Sequence, residues 1–172
     1  MKKEIKEWLN AIVPKNSKIL ILWTFPSEES LKEKFYYKNS SNNFWKILWE
    51  VFWTKDLESK SDDSKILFLM KYNIALWDIF EKAERINWKS SDNKTQWIEC
   101  NDIKWLLADF PTIKTIIVHS KEAEEALKKY IMKKWVDISY RYVPSPSNNN
   151  THSTYKEKVE EWKSTFKDLW LI

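Results

Sequence analysis

The chain has no glycine in 172 residues, and it has twelve tryptophans. An ordinary chain is about 7% glycine, so roughly a dozen would be expected at this length. Glycine serves positive φ, tight turns and close backbone approach, and tryptophan is its poorest stand-in. Several tryptophans stand where a turn or a cap would favour glycine: Trp23 before Thr24-Phe25-Pro26, Trp53 before Thr54, Trp88 before Lys89-Ser90-Ser91, and Trp135 after Lys133-Lys134. Either the fold makes its turns without glycine, or some of these positions are UGA codons that the source reads as glycine.

Length and apolar content bound the rest. A chain of this size can bury a real core, and 43% apolar residues with 31% charged ones suit one globular domain spanning 1–172. The net charge of +4 permits a nucleic-acid partner without demanding one. A lone cysteine, Cys100, rules out an internal disulfide, and two histidines far apart disfavour a histidine-built metal site. The charged start (Lys2, Lys3, Glu4) lacks a signal-peptide core, and no apolar run approaches a membrane span. The expectation is a cytoplasmic monomer with no metal, no cofactor and no membrane partner.

Four apolar runs read as strands: Lys18 to Leu22, Asn73 to Asp78, Thr115 to Ser120, and Ile138 to Val143, the last alternating more than the others. Helical periodicity fills the gaps over Asn43 to Phe52, Ser64 to Tyr72, Asp102 to Asp109 and Lys121 to Lys133. Tyr155, Val159, Trp162, Phe166 and Leu169 mark a final amphipathic helix, with Thr154 and Glu157 spaced as a capping box. Glu58 to Ser64 and Ile86 to Thr95 read as polar surface loops. Strands alternating with helices predict an α/β fold, a three-layer α/β/α sandwich around a central, mostly parallel four-stranded sheet. Ligands of such sheets bind beyond the carboxyl ends of the strands.

Four segments fall at those strand ends or on the helices they feed. They are Trp23-Thr24-Phe25-Pro26-Ser27, the run from Phe35-Tyr36-Tyr37 through Asn42-Asn43-Phe44-Trp45, Leu76-Trp77-Asp78, and Pro144-Ser145-Pro146-Ser147-Asn148-Asn149. As an ordered set they resemble the uracil-DNA glycosylase superfamily, nearest its hypoxanthine-DNA (deoxyinosine) glycosylase branch, a relative of the mismatch-specific uracil-DNA glycosylases. That branch has a Gly-Ser-Phe-Pro-Gly-like loop, Tyr-Tyr before Pro-Arg-Asn-x-Phe-Trp, Leu-Trp-Asp, and a Pro-Ser-x-Ser-Pro-Ala-Asn-like loop. This chain departs from it at Trp23, Ser27, Ser40-Ser41, His119-Ser120 and Asn148-Asn149.

The resemblance implies a monofunctional glycosylase that hydrolyses the N-glycosidic bond of deaminated bases in double- or single-stranded DNA, hypoxanthine first and uracil second, to start base excision repair. It implies catalytic work for Asn42, by orienting water or by hydrogen-bonding the departing base. It implies a base pocket of Trp23, Thr24, Phe25, Pro26, Tyr37 and Asp78, with Tyr37 stacking on the flipped base. It further implies DNA contacts from Ser145, Ser147, Asn148, Asn149 and His152. On residue type alone other roles stay open: Asn42 as a helix N-cap, Asp78 as a cap or acceptor, Tyr36 and Tyr37 as rim aromatics, and His119 as a satisfied polar group. A different reading is a non-catalytic DNA-binding or damage-sensing domain whose base pocket is filled by Trp23.

Overall fold

The computed structural model describes residues 3–7, 9–86, 95–132 and 138–172. The expectations at Trp88 and Trp135, most of the predicted loop at 86–95, and Lys133 at the end of a predicted helix lie outside them.

The predicted strands form one sheet. β2 (Ile19–Trp23), β3 (Ile74–Asp78), β6 (Thr115–Val118) and β7 (Ser139–Tyr142) lie in the order β3-β2-β6-β7, and every pairing is parallel. The central strand β2 shows why a continuous apolar run is needed. Ile19 and Ile21 face one layer while Leu20 and Leu22 face the other, and all four are 0–2% exposed. Each such side chain contributes about 2 kcal/mol on burial, an upper figure because the unfolded chain already hides part of it. β7 alternates because it is an edge, with Ser139, Arg141 and Tyr142 exposed. The opposite edge is covered by Ile12, which exchanges two backbone hydrogen bonds of 2.9 Å with Leu76.

One layer consists of α2 (Phe44–Phe52), α3 (Asp62–Tyr72) and the final helix α6 (Tyr155–Asp168). Phe44, Leu48, Phe68, Trp162 and Phe166 pack there against Ile19, Ile21 and Ile117. The other layer brings α4 (Ile103–Asp109) and α5 (Lys121–Ala126) against Leu20, Leu22, Ile116 and Val118. The capping box forms as the spacing predicts: Glu157 N–H donates to Thr154 Oγ1 at 3.3 Å, and Thr154 N–H donates to Glu157 Oε2 at 2.7 Å.

Four features depart from the sequence reading. A second sheet, antiparallel in the order β1-β4-β5, joins β1 (Lys3–Glu7), β4 (Phe80–Ile86) and β5 (Thr95–Cys100). Its strands are mostly charged or polar, with Phe80 and Ala83 buried in β4, so they show no apolar run to detect. A short helix α1 (Glu28–Glu33) follows Ser27, which caps it by accepting from Ser30 N–H. The predicted loop Glu58 to Ser64 holds a 3-10 turn (Leu57–Ser59), anchored by buried Leu57, and the first turn of α3. The predicted helix over Lys121 to Lys133 is α-helical only to Ala126 and continues as a π-helical stretch, Leu127–Met132.

Turns are made without glycine. Lys34, Tyr37, Trp53, Asp56, Asn73 and Trp170 all take positive φ, between 54° and 58°. The left-handed region costs a residue with a Cβ about 1–2 kcal/mol, least for asparagine and aspartate. At the end of α2, Thr54 N–H donates to Trp49 O at 3.1 Å. At the end of α6, Leu171 N–H donates to Phe166 O at 3.0 Å and Trp170 N–H to Lys167 O at 2.9 Å. The end of α6 is a full Schellman motif and the end of α2 keeps its longer bond, each with tryptophan at the left-handed position glycine usually takes.

Candidate active site

Beyond the carboxyl ends of β2 and β3 lies a cavity of about 350 Å³, lined by residues from four segments of the chain. Trp23, Phe25 and Pro26 come from the loop after β2, Tyr36, Tyr37 and Asn42 from the run before α2, Asp78 from the end of β3, and Ser147 and Asn149 from the last loop. That size suits a small-molecule site or a single base.

The register of the sheet sets the floor. Trp23 pairs with Asp78 across β2 and β3, and Ile79 N–H donates to Trp23 O at 2.8 Å. Asp78 is fully buried, and its backbone carbonyl accepts from Asn101 Nδ2 at 2.9 Å. Its carboxylate acts on two neighbouring phenols. Burial raises the pKa of Tyr36 and of Tyr37 well above the usual phenol value, and the negative charge of Asp78 adds to both. The tyrosines therefore stay neutral around an acidic floor.

Tyr37 lies flat on Phe44, ring centroids 3.6 Å apart, and its hydroxyl is 2.7 Å from His119 Nε2. A ring backed by Phe44 on one face can stack a base only on the other. His119 is fully buried, and desolvation holds its pKa well below the ordinary imidazole value. The histidine is only half satisfied, since Nδ1 has no hydrogen-bond partner among the described residues. Trp23 does not fill the cavity. It lies on His119, ring centroids 4.0 Å apart, and forms part of the wall.

Asn42 Oδ1 accepts from Phe44 N–H at 2.9 Å, closing an Asx turn one residue ahead of the N-cap of α2; that cap is Asn43, which makes no side-chain cap bond, so the N-cap expected at Asn42 falls to its neighbour. Asn42 Nδ2 has no hydrogen bond among the described residues, in a side chain that lines the cavity. Asn42 also forms an antiparallel bridge with Ser147. Asn43 N–H donates to Pro146 O at 2.9 Å, Asn148 N–H donates to Ser41 O at 3.0 Å, and the Asn43 and Asn148 amides bond each other. Lys158, almost wholly buried, donates to the carbonyls of Ser147 at 2.8 Å and Asn150 at 3.0 Å.

Eight of the predicted site residues thus meet on one cavity: Trp23, Phe25, Pro26, Tyr37, Asn42, Asp78, Ser147 and Asn149. Four do not line it. Thr24 is buried behind the wall, its carbonyl accepting from Phe80 N–H at 3.1 Å. Ser145 turns inward and accepts from Ser147 N–H at 3.3 Å. Asn148 is engaged with Asn43, and His152 is exposed, its N–H on Asn150 Oδ1 at 3.1 Å. The wall also includes Ser27, Ser30, Asn39 and Ser41, which the sequence reading did not select. Asn39 offered one usable signal: an asparagine two residues before a serine invites the Asx turn seen here, Oδ1 accepting from Ser41 N–H at 2.8 Å.

The model of the uracil DNA glycosylase superfamily matches residues 11–169. The chain belongs to that superfamily. It is 28% identical over 163 residues to a hypoxanthine DNA glycosylase of Methanosarcina acetivorans, covering 95% of this chain and 99% of the relative. A hypoxanthine DNA glycosylase of Methanosarcina barkeri is 28% identical over 120 residues, 70% of this chain and 74% of the relative. The solution NMR structure of a proposed uracil DNA glycosylase from Methanosarcina acetivorans superposes with a TM-score of 0.80 at 28% identity, covering 97% of this chain and 99% of that one. The superfamily fold accounts for the order of the segments around the cavity, from the loop after β2 to the loop before α6.

Proposed function

We propose that this chain is a monofunctional DNA glycosylase, a single-domain monomer that releases deaminated bases by hydrolysis, hypoxanthine ahead of uracil. The observation that carries the reading is the meeting of Asn42, Tyr37 and Asp78 on one cavity at the mouth of the sheet. The names of its relatives agree with it.

Each group has a task that its chemistry fits. Tyr37 stacks on the extruded base. The Asp78 carboxylate accepts from the base: hypoxanthine offers N1–H and uracil N3–H, whereas adenine presents a lone pair at N1 and is repelled. Asn42 serves as a donor, because its Oδ1 is occupied by the helix and Nδ2 is the group left for the substrate. An N–H aimed at the departing base stabilises the charge that builds on it as the glycosidic bond breaks. Water then takes the sugar carbon, giving free base and an abasic site. Ser147 and Asn149 offer hydroxyl and amide groups to the strand beside the flipped nucleotide. The reading of a cavity filled by Trp23 finds no support in the stack of that ring on His119.

An oligonucleotide carrying one deoxyinosine tests the proposal. Treatment with the protein and then alkali should cut the strand at that nucleotide, more slowly at deoxyuridine and not at deoxyadenosine. No cleavage at either deaminated base, with the duplex or the single strand, would refute it.

A further inference from the structure

We infer that positions 53 and 170 carry glycine in the protein as its source makes it, their codons being UGA read as glycine. Both tryptophans occupy the residue after a helix end where glycine is usual, at φ of 55° and 56°. Both leave the indole in solvent, 81% and 91% exposed. A tryptophan normally offsets its cost by burying its ring and bonding its N–H. Trp45 and Trp162 do so: they are 3% and 0% exposed, and their indole N–H groups donate to Tyr36 O at 3.1 Å and Pro144 O at 2.9 Å. Among the described residues the Trp53 ring meets the Lys163 ammonium, 5.1 Å from its centroid, at the surface. The same two positions thus combine the backbone that glycine favours with an indole left largely in solvent, in a chain with no glycine. One decoding change explains the backbone and the solvent-exposed indole at both positions together.

Sequencing the genomic copy and mapping peptides of the protein isolated from its source test this. UGA is expected at 53 and 170, UGG at 45 and 162, and peptides lighter by the tryptophan-to-glycine difference at 53 and 170 alone of these four. UGG at 53 or 170, or a tryptophan-bearing peptide there, overturns it.

A separate observation carries a second inference, which rests on the glycosylase reading. Lys65 in α3 is only 4% exposed, and its ammonium lies over Trp45, 5.5 Å from a ring centroid. It lines an open polar cleft of about 570 Å³ that shares Tyr37, Asn39 and Asn42 with the base cavity. Lys38, on the same cleft, is paired with Asp62 at 2.6 Å, whereas Lys65 makes no ion pair among the described residues. An ammonium held this deep is stabilised by an anion it can reach. We propose that the cleft receives a backbone phosphate of the DNA strand beside the flipped nucleotide, with Lys65 as its counter-charge and Lys60 at its rim.

Binding to a duplex with one abasic-site analogue, followed over a salt series, tests it. Lys65→Met should weaken binding several-fold and reduce the slope of log K against log salt by about 0.9, the value for one phosphate contact. Lys65→Arg should restore both, and Lys60→Gln, at an exposed position, should give a smaller change in the same direction. An unchanged slope in Lys65→Met and Lys60→Gln overturns this site. Failure of the parent protein to release hypoxanthine would instead refute the glycosylase reading, and the two results are read separately.

Discussion

The hydroxyl of Tyr37 lies 2.7 Å from His119 Nε2, which ties the residue assigned to base stacking to a histidine buried at the end of β6. The bond fixes the tyrosine ring from its tip while Phe44 supports its face. Removing only the hydroxyl separates these two supports. Tyr37→Phe should destabilise the protein by about 1–3 kcal/mol, the cost of leaving a buried polar group without its partner. Hypoxanthine release should stay within a few-fold of the parent, because the ring remains, whereas Tyr37→Ala should lose most of it. Urea unfolding and single-turnover base release give the two numbers.

The burial of His119 sets a pH dependence. Its pKa is held below the ordinary 6.5, so the folded state keeps it neutral where the unfolded chain takes up a proton. Stability from this group is therefore complete above pH 6.5 and is lost as pH falls below it, by at most about 1.4 kcal/mol per pH unit. Urea midpoints measured between pH 7.5 and pH 5 should decline, and His119→Phe should flatten that decline. An equal decline in the variant would locate the acid sensitivity elsewhere.

Asn42 accepts from the first N–H of a helix with one atom and faces the cavity with the rest of its amide, and a carboxylate, with no hydrogen to donate, can do only the first job. Asn42→Asp should keep stability within about 1 kcal/mol of the parent, because aspartate closes the same Asx turn. Its rate of base release at saturating DNA should fall about 10²–10³-fold, the usual cost of a lost donor to a developing charge. A comparable fall in the unfolding midpoint would mean that the turn, and not chemistry, is what asparagine supplies.

Asp78 should determine which bases are accepted. Asp78→Asn replaces an acceptor-only group with one that also donates, so release of hypoxanthine should fall at least about tenfold, as expected for a lost charge-assisted hydrogen bond. Release of adenine, undetectable with the parent, should become measurable. Oligonucleotides carrying deoxyinosine, deoxyuridine or deoxyadenosine, compared side by side, show whether the preference moves.

Within the parallel sheet β2, β3 and β6 were legible because each is an apolar run bounded by a turn, the pattern that burial on two faces imposes, and β7 because it alternates at the edge and its run ends at Pro144. The antiparallel sheet was not, because β4 interleaves the half-buried charged residues Glu81, Lys82 and Glu84 with buried Phe80 and Ala83 and so shows no apolar run. Around the cavity the sequence was informative where a residue type is costly to bury. A carboxylate at the end of an apolar strand, like Asp78, needs a reason to be there. Ser27, Ser30 and Ser41 were invisible because small hydroxyl residues are at home in any turn. Thr24 and Ser145 were selected by their neighbours' motif, and their own positions differ because successive residues of an extended segment point opposite ways.

The bridge between Asn42 and Ser147 joins segments more than a hundred residues apart into a short two-stranded ribbon across the mouth of the site. Lys158 clamps its far end through two carbonyls. A DNA strand leaning on the last loop therefore bears on the same backbone that aims the Asn42 amide. Docking and bond breaking share a mechanical part, so changes along the loop from Ser147 to Asn150 should alter turnover as well as grip, and the nucleotides flanking a damaged base should be felt as a difference in rate.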